Sequence, residues 1–91
     1  MIKHYYLKIY GQVQGVNFRH NLNKLAQELK ISGWVRNELD GSLSIEMEGD
    51  AENLQKMIIY CYRGPARAKV NEVKIIERKE LEYYSNFKIL Y

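Results

Sequence analysis

Apolar and polar residues alternate along the first part of the chain, over residues 3–10. Tyr5, Leu7 and Ile9 share one face of this segment, and Tyr6, Lys8 and Tyr10 share the other. A period of two is typical of a strand with one buried face. From residue 18 the spacing becomes that of an amphipathic helix, which we expect to run over residues 18–30 and to end at Ser32-Gly33. The apolar stripe of this helix consists of Phe18, Leu22, Leu25, Ala26 and Leu29.

The rest of the chain repeats these two periods. A second strand is predicted over residues 34–37, and Asp40-Gly41 supplies a turn into a third strand. In that strand Leu43, Ile45 and Met47 alternate with Ser42, Ser44, Glu46 and Glu48. Asp50 is a suitable N-cap for a second helix that ends at Gly64-Pro65. The apolar stripe of this helix consists of Leu54, Met57, Ile58 and Cys61. After it we expect a fourth strand around Val70, Val73 and Ile75, and then a charged connection over residues 77–85. A closing strand is predicted from the alternation of Phe87, Ile89 and Tyr91.

This order of elements predicts an α+β fold. Two helices can bury their apolar stripes on one face of a mainly antiparallel sheet, which is the βαββαβ arrangement of the ferredoxin-like sandwich. A short extra strand is expected at the C-terminal end. Because 91 residues suffice for one hydrophobic core, we expect a single domain over residues 1–91. The fold alone does not define the function, since it hosts many activities.

Composition and charge exclude several classes of function. The net charge of +3, without a cluster of Lys and Arg, gives little support for nucleic-acid binding, and the single cysteine excludes an intramolecular disulfide. The longest apolar run, Met57 to Tyr62, is far shorter than the ~20 residues of a membrane helix. We therefore expect a cytoplasmic protein, monomeric, with neither a nucleic acid nor a membrane as partner.

The chain lacks the usual motifs for metal or covalent catalysis. His4 and His20 stand in no metal-ligand pattern, Cys61 lies within a helical stripe, and neither a G-x-S-x-G motif nor a phosphate-loop lysine occurs. No metal and no cofactor are therefore expected. His4 is assigned no role, His20 is expected at the surface, Trp34 is expected to be at least half-buried, and Cys61 is expected in the core.

The segment between the first strand and the first helix has the features of an anion site. Two glycines, Gly11 and Gly15, precede the point where the helical pattern begins, and Arg19 follows directly. Backbone N–H groups in such a turn, with a helix N-terminus, form a concave site for an anion, and a guanidinium adds two donors suited to phosphate. The predicted phosphate cradle consists of the backbone of Gln14, Gly15, Val16, Asn17, Phe18 and Arg19, with the Arg19 side chain. Asn37 could orient a water molecule through its amide.

Two segments of the chain resemble the two signatures of the acylphosphatase family. The first resemblance is carried by Gly11, Val13, Gln14, Gly15, Val16, Phe18 and Arg19, and the second by Gly33, Trp34, Val35, Arg36, Asn37, Gly41 and Gly49. It implies metal-independent hydrolysis of a small acyl phosphate, with Arg19 binding phosphate and Asn37 ordering the attacking water. The departures are small: Leu43 stands where valine is usual, and Ala66 follows Gly64-Pro65 where a second proline is common.

Two alternative functions remain open at this point. One is a non-catalytic acylphosphatase-like domain that binds phosphate or carbamoyl phosphate. The other is an RNA-binding module, because RNA-recognition domains share this topology. The segment from Ser42 to Met47 in the third strand lacks the aromatic signature of such modules, and Glu46 and Glu48 would repel phosphates.

Overall fold

The computed structural model describes residues 1–91 as a five-stranded sheet with two helices on one face. Strand order is β4-β1-β3-β2-β5; β5 is parallel to β2 and the other neighbouring strands are antiparallel. The predicted ferredoxin-like sandwich with an extra C-terminal strand is confirmed. The elements are β1 (Ile2–Gln12), α1 (Phe18–Leu29), β2 (Ser32–Asn37), β3 (Leu43–Asp50), α2 (Ala51–Arg63), β4 (Lys69–Arg78) and β5 (Phe87–Leu90).

One hydrophobic core lies between the sheet and the helices. Leu7 and Ile9 of β1 are fully buried in it. The predicted stripe of α2 and Phe18, Leu22 and Ala26 of α1 are buried in the same core, while Leu25 and Leu29 of the α1 stripe are partly buried against it. Asp50 accepts a hydrogen bond from the backbone N–H of Glu52, which confirms it as the N-cap of α2. Cys61 is buried in the core as predicted, and burial raises the pKa of its thiol. A buried, protonated thiol is a packing group and not a nucleophile.

The boundary between α1 and β2 differs from the prediction. The helix ends at Leu29, and Lys30 takes the left-handed conformation of a C-cap, with a φ of 56°. Ser32-Gly33 is therefore not the helix stop but the start of β2. Gly33 is required there by close approach of β3, because a Cβ atom would lie 1.9 Å from the carbonyl oxygen of Glu46.

The fourth strand is longer than predicted. β4 continues to Arg78, so the connection that we expected to begin at Glu77 begins at Lys79. The sequence conceals this length because β4 is an edge strand, and most of its side chains are exposed on both faces. A strand exposed in this way shows no clean alternation of apolar and polar residues.

The sheet face opposite the helices carries a buried cluster of one histidine and two glutamates that the sequence did not reveal. His4, Glu46 and Glu48 are only 3%, 8% and 4% exposed. The His4 ring places Nε2 2.5 Å from Glu46 Oε1 and Nδ1 2.8 Å from the carbonyl oxygen of Glu80. His4, to which the sequence pattern assigned no role, therefore lies in a buried contact, because the connection over residues 79–86 covers this end of the face.

Glu48 fastens that connection to the sheet. Its carboxylate accepts backbone N–H groups from Glu82, from Tyr83 at 2.9 Å and from Tyr84 at 3.3 Å. Three backbone N–H groups of the connection thus have the Glu48 carboxylate as their acceptor. A capping side chain satisfies the free N–H groups at a helix end in the same way.

Glu48→Gln is expected to lower the free energy of unfolding by about 3 kcal/mol, because a buried charge that accepts several hydrogen bonds is lost. For a domain of this size that corresponds to a fall in Tm of about 10 °C or more. Thermal unfolding followed by circular dichroism measures it. The control is Glu77→Gln, which removes only an exposed ion pair with Lys3 at 3.3 Å. Equal melting temperatures for the two variants would show that Glu48 does not hold the connection.

Candidate active site

The loop between β1 and α1 contains the predicted phosphate cradle, and we call it the cradle loop; several of its backbone N–H groups are free to donate. Gly15 and Asn17 have φ angles of 75° and 66°, in the left-handed region, while Val13 and Phe18 are buried and anchor the two ends of the loop. The N–H groups of residues 14–17 donate to no other backbone group. Alternation of left-handed with ordinary conformations turns successive N–H groups toward one point, which creates a concave site for an anion.

The N-terminus of α1 adds further donors to the same place. Asn17 occupies the N-cap position, but its side chain makes no capping hydrogen bond, and the first turn contains no acidic residue. The first backbone N–H to bond back is that of Asn21, to the carbonyl oxygen of Asn17 at 3.0 Å. The earlier N–H groups are therefore available at the positive end of the helix dipole.

Arg19 lies in the first turn of α1, beside this loop. No carboxylate is within ion-pair distance of its guanidinium, which instead stacks on the ring of Tyr91 at 5.1 Å. A pocket of about 260 Å³ adjoins Arg19 and is lined by the cradle loop, by the start of α1 and by Ile89 and Tyr91. An arginine without a carboxylate partner at a cluster of N–H donors is suited to bind an anion with two or more oxygens.

Asn37 is the last residue of β2 and faces the helices. Val35, two residues earlier on the same face, is fully buried in the core. The Oδ1 atom of Asn37 is buried and has no hydrogen-bond partner in the protein. A buried acceptor left without a donor costs about 1–3 kcal/mol, so this atom requires an explanation.

Strand pairing brings Asn37 and Arg19 to the same edge of the sheet. Asn37 stands opposite Leu43, which stands opposite Ile9 just before the cradle loop. Arg36 pairs with Leu90, the last residue of the parallel strand β5. The residue after Leu90 in the chain is Tyr91, on which Arg19 stacks. Asn37 itself does not line the pocket beside Arg19. The site therefore consists of that pocket and, next to it, the end of β2.

The sequence did not predict the contacts that Gln14, Ile89 and Tyr91 make near this edge. The side chain of Gln14, predicted only as part of the backbone cradle, hydrogen-bonds to the turn between β2 and β3. Ile89 and Tyr91 line the pocket, and the alternation that predicted β5 carried no sign of where that strand would lie. His20 is exposed, as expected, and is one of the residues that line the same pocket. Trp34 is half-buried, as expected.

The chain is similar to known proteins over nearly its whole length. A profile of the family described as acylphosphatase matches residues 5–89. An acylphosphatase of a Roseiflexus species is 41% identical over 83 residues, covering 91% of this chain and 89% of the relative. One of Thermococcus kodakarensis is 39% identical over 85 residues, covering 93% of this chain and 92% of the relative.

A crystal structure of acylphosphatase from Bacillus subtilis superimposes with a TM-score of 0.94 at 34% sequence identity, and covers 100% of both chains. Neither helix of the present structure has the length and apolar character needed to cross a lipid bilayer. The resemblance noted in the two signatures is confirmed, as is the predicted enzyme class, a hydrolase that acts on acyl phosphates. The chain belongs to the acylphosphatase family.

Proposed function

We propose that the cradle loop and Arg19 bind the phosphate of a small acyl phosphate while Asn37 orients the water that attacks it. In this proposal residues 1–91 are one catalytic domain, which acts as a monomer in the cytoplasm and needs no metal ion or cofactor. The observation that supports the proposal most strongly is the buried Oδ1 of Asn37, an acceptor without a donor at the edge of the sheet where Arg19 lies. The site would thus combine hydrogen-bond donors for phosphate, from the cradle loop and Arg19, with an acceptor for water, from Asn37.

The phosphate oxygens match the donors of the cradle. The N–H groups of residues 14–17 and of the first turn of α1 would donate to them, and the Arg19 guanidinium would add two parallel hydrogen bonds. The stack on Tyr91 restricts the guanidinium without neutralising its charge. The charge of Arg19 can then act fully on the phosphate.

The amide oxygen of Asn37 is a hydrogen-bond acceptor, which is the kind of group that can orient a nucleophilic water. A water molecule that donates one O–H to Oδ1 keeps a lone pair free to approach phosphorus. An amide accepts a hydrogen bond but takes no proton at neutral pH, so Asn37 orients the water and does not act as a base. A domain that only bound inorganic phosphate would need no acceptor for water beside the cradle.

The reaction balances without an acid or a metal. The water oxygen forms a bond to phosphorus while the bond from phosphorus to the acyl oxygen breaks, and the electron pair leaves with the carboxylate. A carboxylate is stable without a proton, so no general acid is required. We propose that the proton of the water passes to a phosphate oxygen. Catalysis then consists of positioning and charge stabilisation, as in phosphoryl transfer generally.

The purified protein is expected to hydrolyse benzoyl phosphate at the same rate in excess EDTA as in its absence. Every group that we assign to the reaction belongs to the protein, so removal of free metal changes nothing that binds or activates the substrate. Ultraviolet absorbance of benzoyl phosphate follows the rate. If EDTA abolished turnover and added Mg²⁺ or Zn²⁺ restored it, the metal would carry part of the chemistry assigned here to Arg19 and Asn37.

A further inference from the structure

The side chain of Gln14 crosses from the cradle loop to the turn between β2 and β3. Its Nε2 atom donates to the carbonyl oxygen of Glu38 at 2.8 Å and to that of Ser42 at 3.0 Å. Glu38 directly follows Asn37 in the chain. The contact therefore links the segment expected to hold phosphate to the turn that directly follows Asn37, the residue expected to hold water.

The turn that receives Gln14 is itself firmly closed. The backbone N–H of Glu38 donates to Ser42 O at 2.9 Å, and that of Gly41 donates to Glu38 O at 3.1 Å. Asp40 accepts the backbone N–H of Ser42 at 3.0 Å, and the hydroxyl and N–H of Ser42, with Lys8, lower the pKa of Asp40 to about 2. Both carbonyl oxygens that Gln14 contacts are thus fixed in place by the turn.

We propose that Gln14 is a positioning residue, which sets the distance between the phosphate cradle and Asn37; this inference rests on the proposed function. Attack in line with the leaving group demands that water and phosphorus be held to a fraction of an ångström, and a misplacement of 1 Å can cost about 10²-fold in rate. A primary amide suits this role because one nitrogen supplies two donors for two carbonyl oxygens. Gln14 is half-buried, which reduces the access of competing water to both hydrogen bonds.

The variant that tests the proposal is Gln14→Met, which keeps the length of the side chain and removes both donors. The expected result is a fall in kcat of about 10–100-fold for benzoyl phosphate, with the inhibition constant of inorganic phosphate changed less than about threefold. Phosphate binding persists because the backbone N–H groups and Arg19 are untouched. Gln14→Asn, whose amide is one methylene too short to reach the turn, should behave in the same way. Gln55→Met, at an exposed glutamine of α2, is the matched control.

A double-mutant cycle with Asn37→Ala separates positioning from simple loss of structure. If Gln14 acts through Asn37, Gln14→Met should lower kcat by less than about twofold once Asn37 is already absent. Multiplied losses in the double variant, with Asn37→Ala alone strongly impaired, would overturn the role of Gln14 and leave the proposed function standing. A normal kcat for Asn37→Ala alone would overturn the proposed water site and the positioning role with it. A normal kcat for Gln14→Met would overturn the positioning role directly.

Discussion

Replacing Arg19 with alanine is expected to lower the rate of benzoyl phosphate hydrolysis by about 10³–10⁵-fold, the range found when an arginine that stabilises transition-state charge is removed from phosphoryl-transfer enzymes. The inhibition constant of inorganic phosphate should rise as well, because the guanidinium holds phosphate in the ground state and in the transition state. The fold should survive, since Arg19 makes no ion pair and its main contact is the stack on Tyr91.

Two further variants define what Arg19 contributes. Arg19→Lys should restore little activity, because an ammonium cannot make the two parallel hydrogen bonds of a guanidinium. Arg67→Ala removes an exposed arginine elsewhere on the surface and should leave turnover unchanged. If the Arg19→Ala protein kept more than about one tenth of the normal rate, well outside the range above, the phosphate would have to bind elsewhere.

Replacing Asn37 with alanine is expected to lower kcat by about 10²-fold or more, because the attacking water loses its orientation. Phosphate affinity should stay within a few-fold of normal, since Asn37 would contact the nucleophile and not the phosphate. Thermal stability should change little: the amide oxygen has no protein partner to lose. Steady-state kinetics, the inhibition constant of phosphate and Tm, measured on one preparation, test all three statements.

The alternative roles of Asn37 predict different results. A residue that serves only the turn would give a lower Tm with kcat unchanged in the folded fraction. A second phosphate ligand would give normal stability with weaker phosphate inhibition. Asn71→Ala, at an exposed asparagine on the edge strand β4, is the control for loss of an amide without loss of the site.

The sequence predicts those parts of the fold in which burial imposes a period. The stripes of α1 and α2 and the alternation along β1 and β3 were enough to obtain the order of elements and the sheet. The pattern of apolar and polar residues is less informative for a strand that is buried on both faces, such as β3, or exposed on both faces, such as β4. Glu46 and Glu48 alternate with apolar residues and look solvent-facing, although the connection over residues 79–86 buries them. The exposed edge strand β4 has no regular pattern that would reveal its ten residues.

The sequence identifies the candidate site by residue type and order, but not by contacts. Arg19, Asn37 and the cradle loop could be named because their spacing resembles a family pattern. Neither the bridge from Gln14 to the turn nor the stack of Arg19 on Tyr91 could be predicted, since both join residues far apart in the chain. Such contacts depend on strand register, which a single sequence specifies only through the faces that it buries.

The place of β1 in the sheet also has a consequence for synthesis. β1 precedes its partners in the chain but is an interior strand, paired with β3 on one side and, from His4 to Gln12, with β4 on the other. On a ribosome it therefore emerges well before either partner, while its tyrosines and isoleucines resemble a segment prone to intermolecular β-pairing. Lys3 and Lys8 place positive charges within that segment, which disfavours pairing between identical chains until β3 and β4 of the same chain have been synthesised.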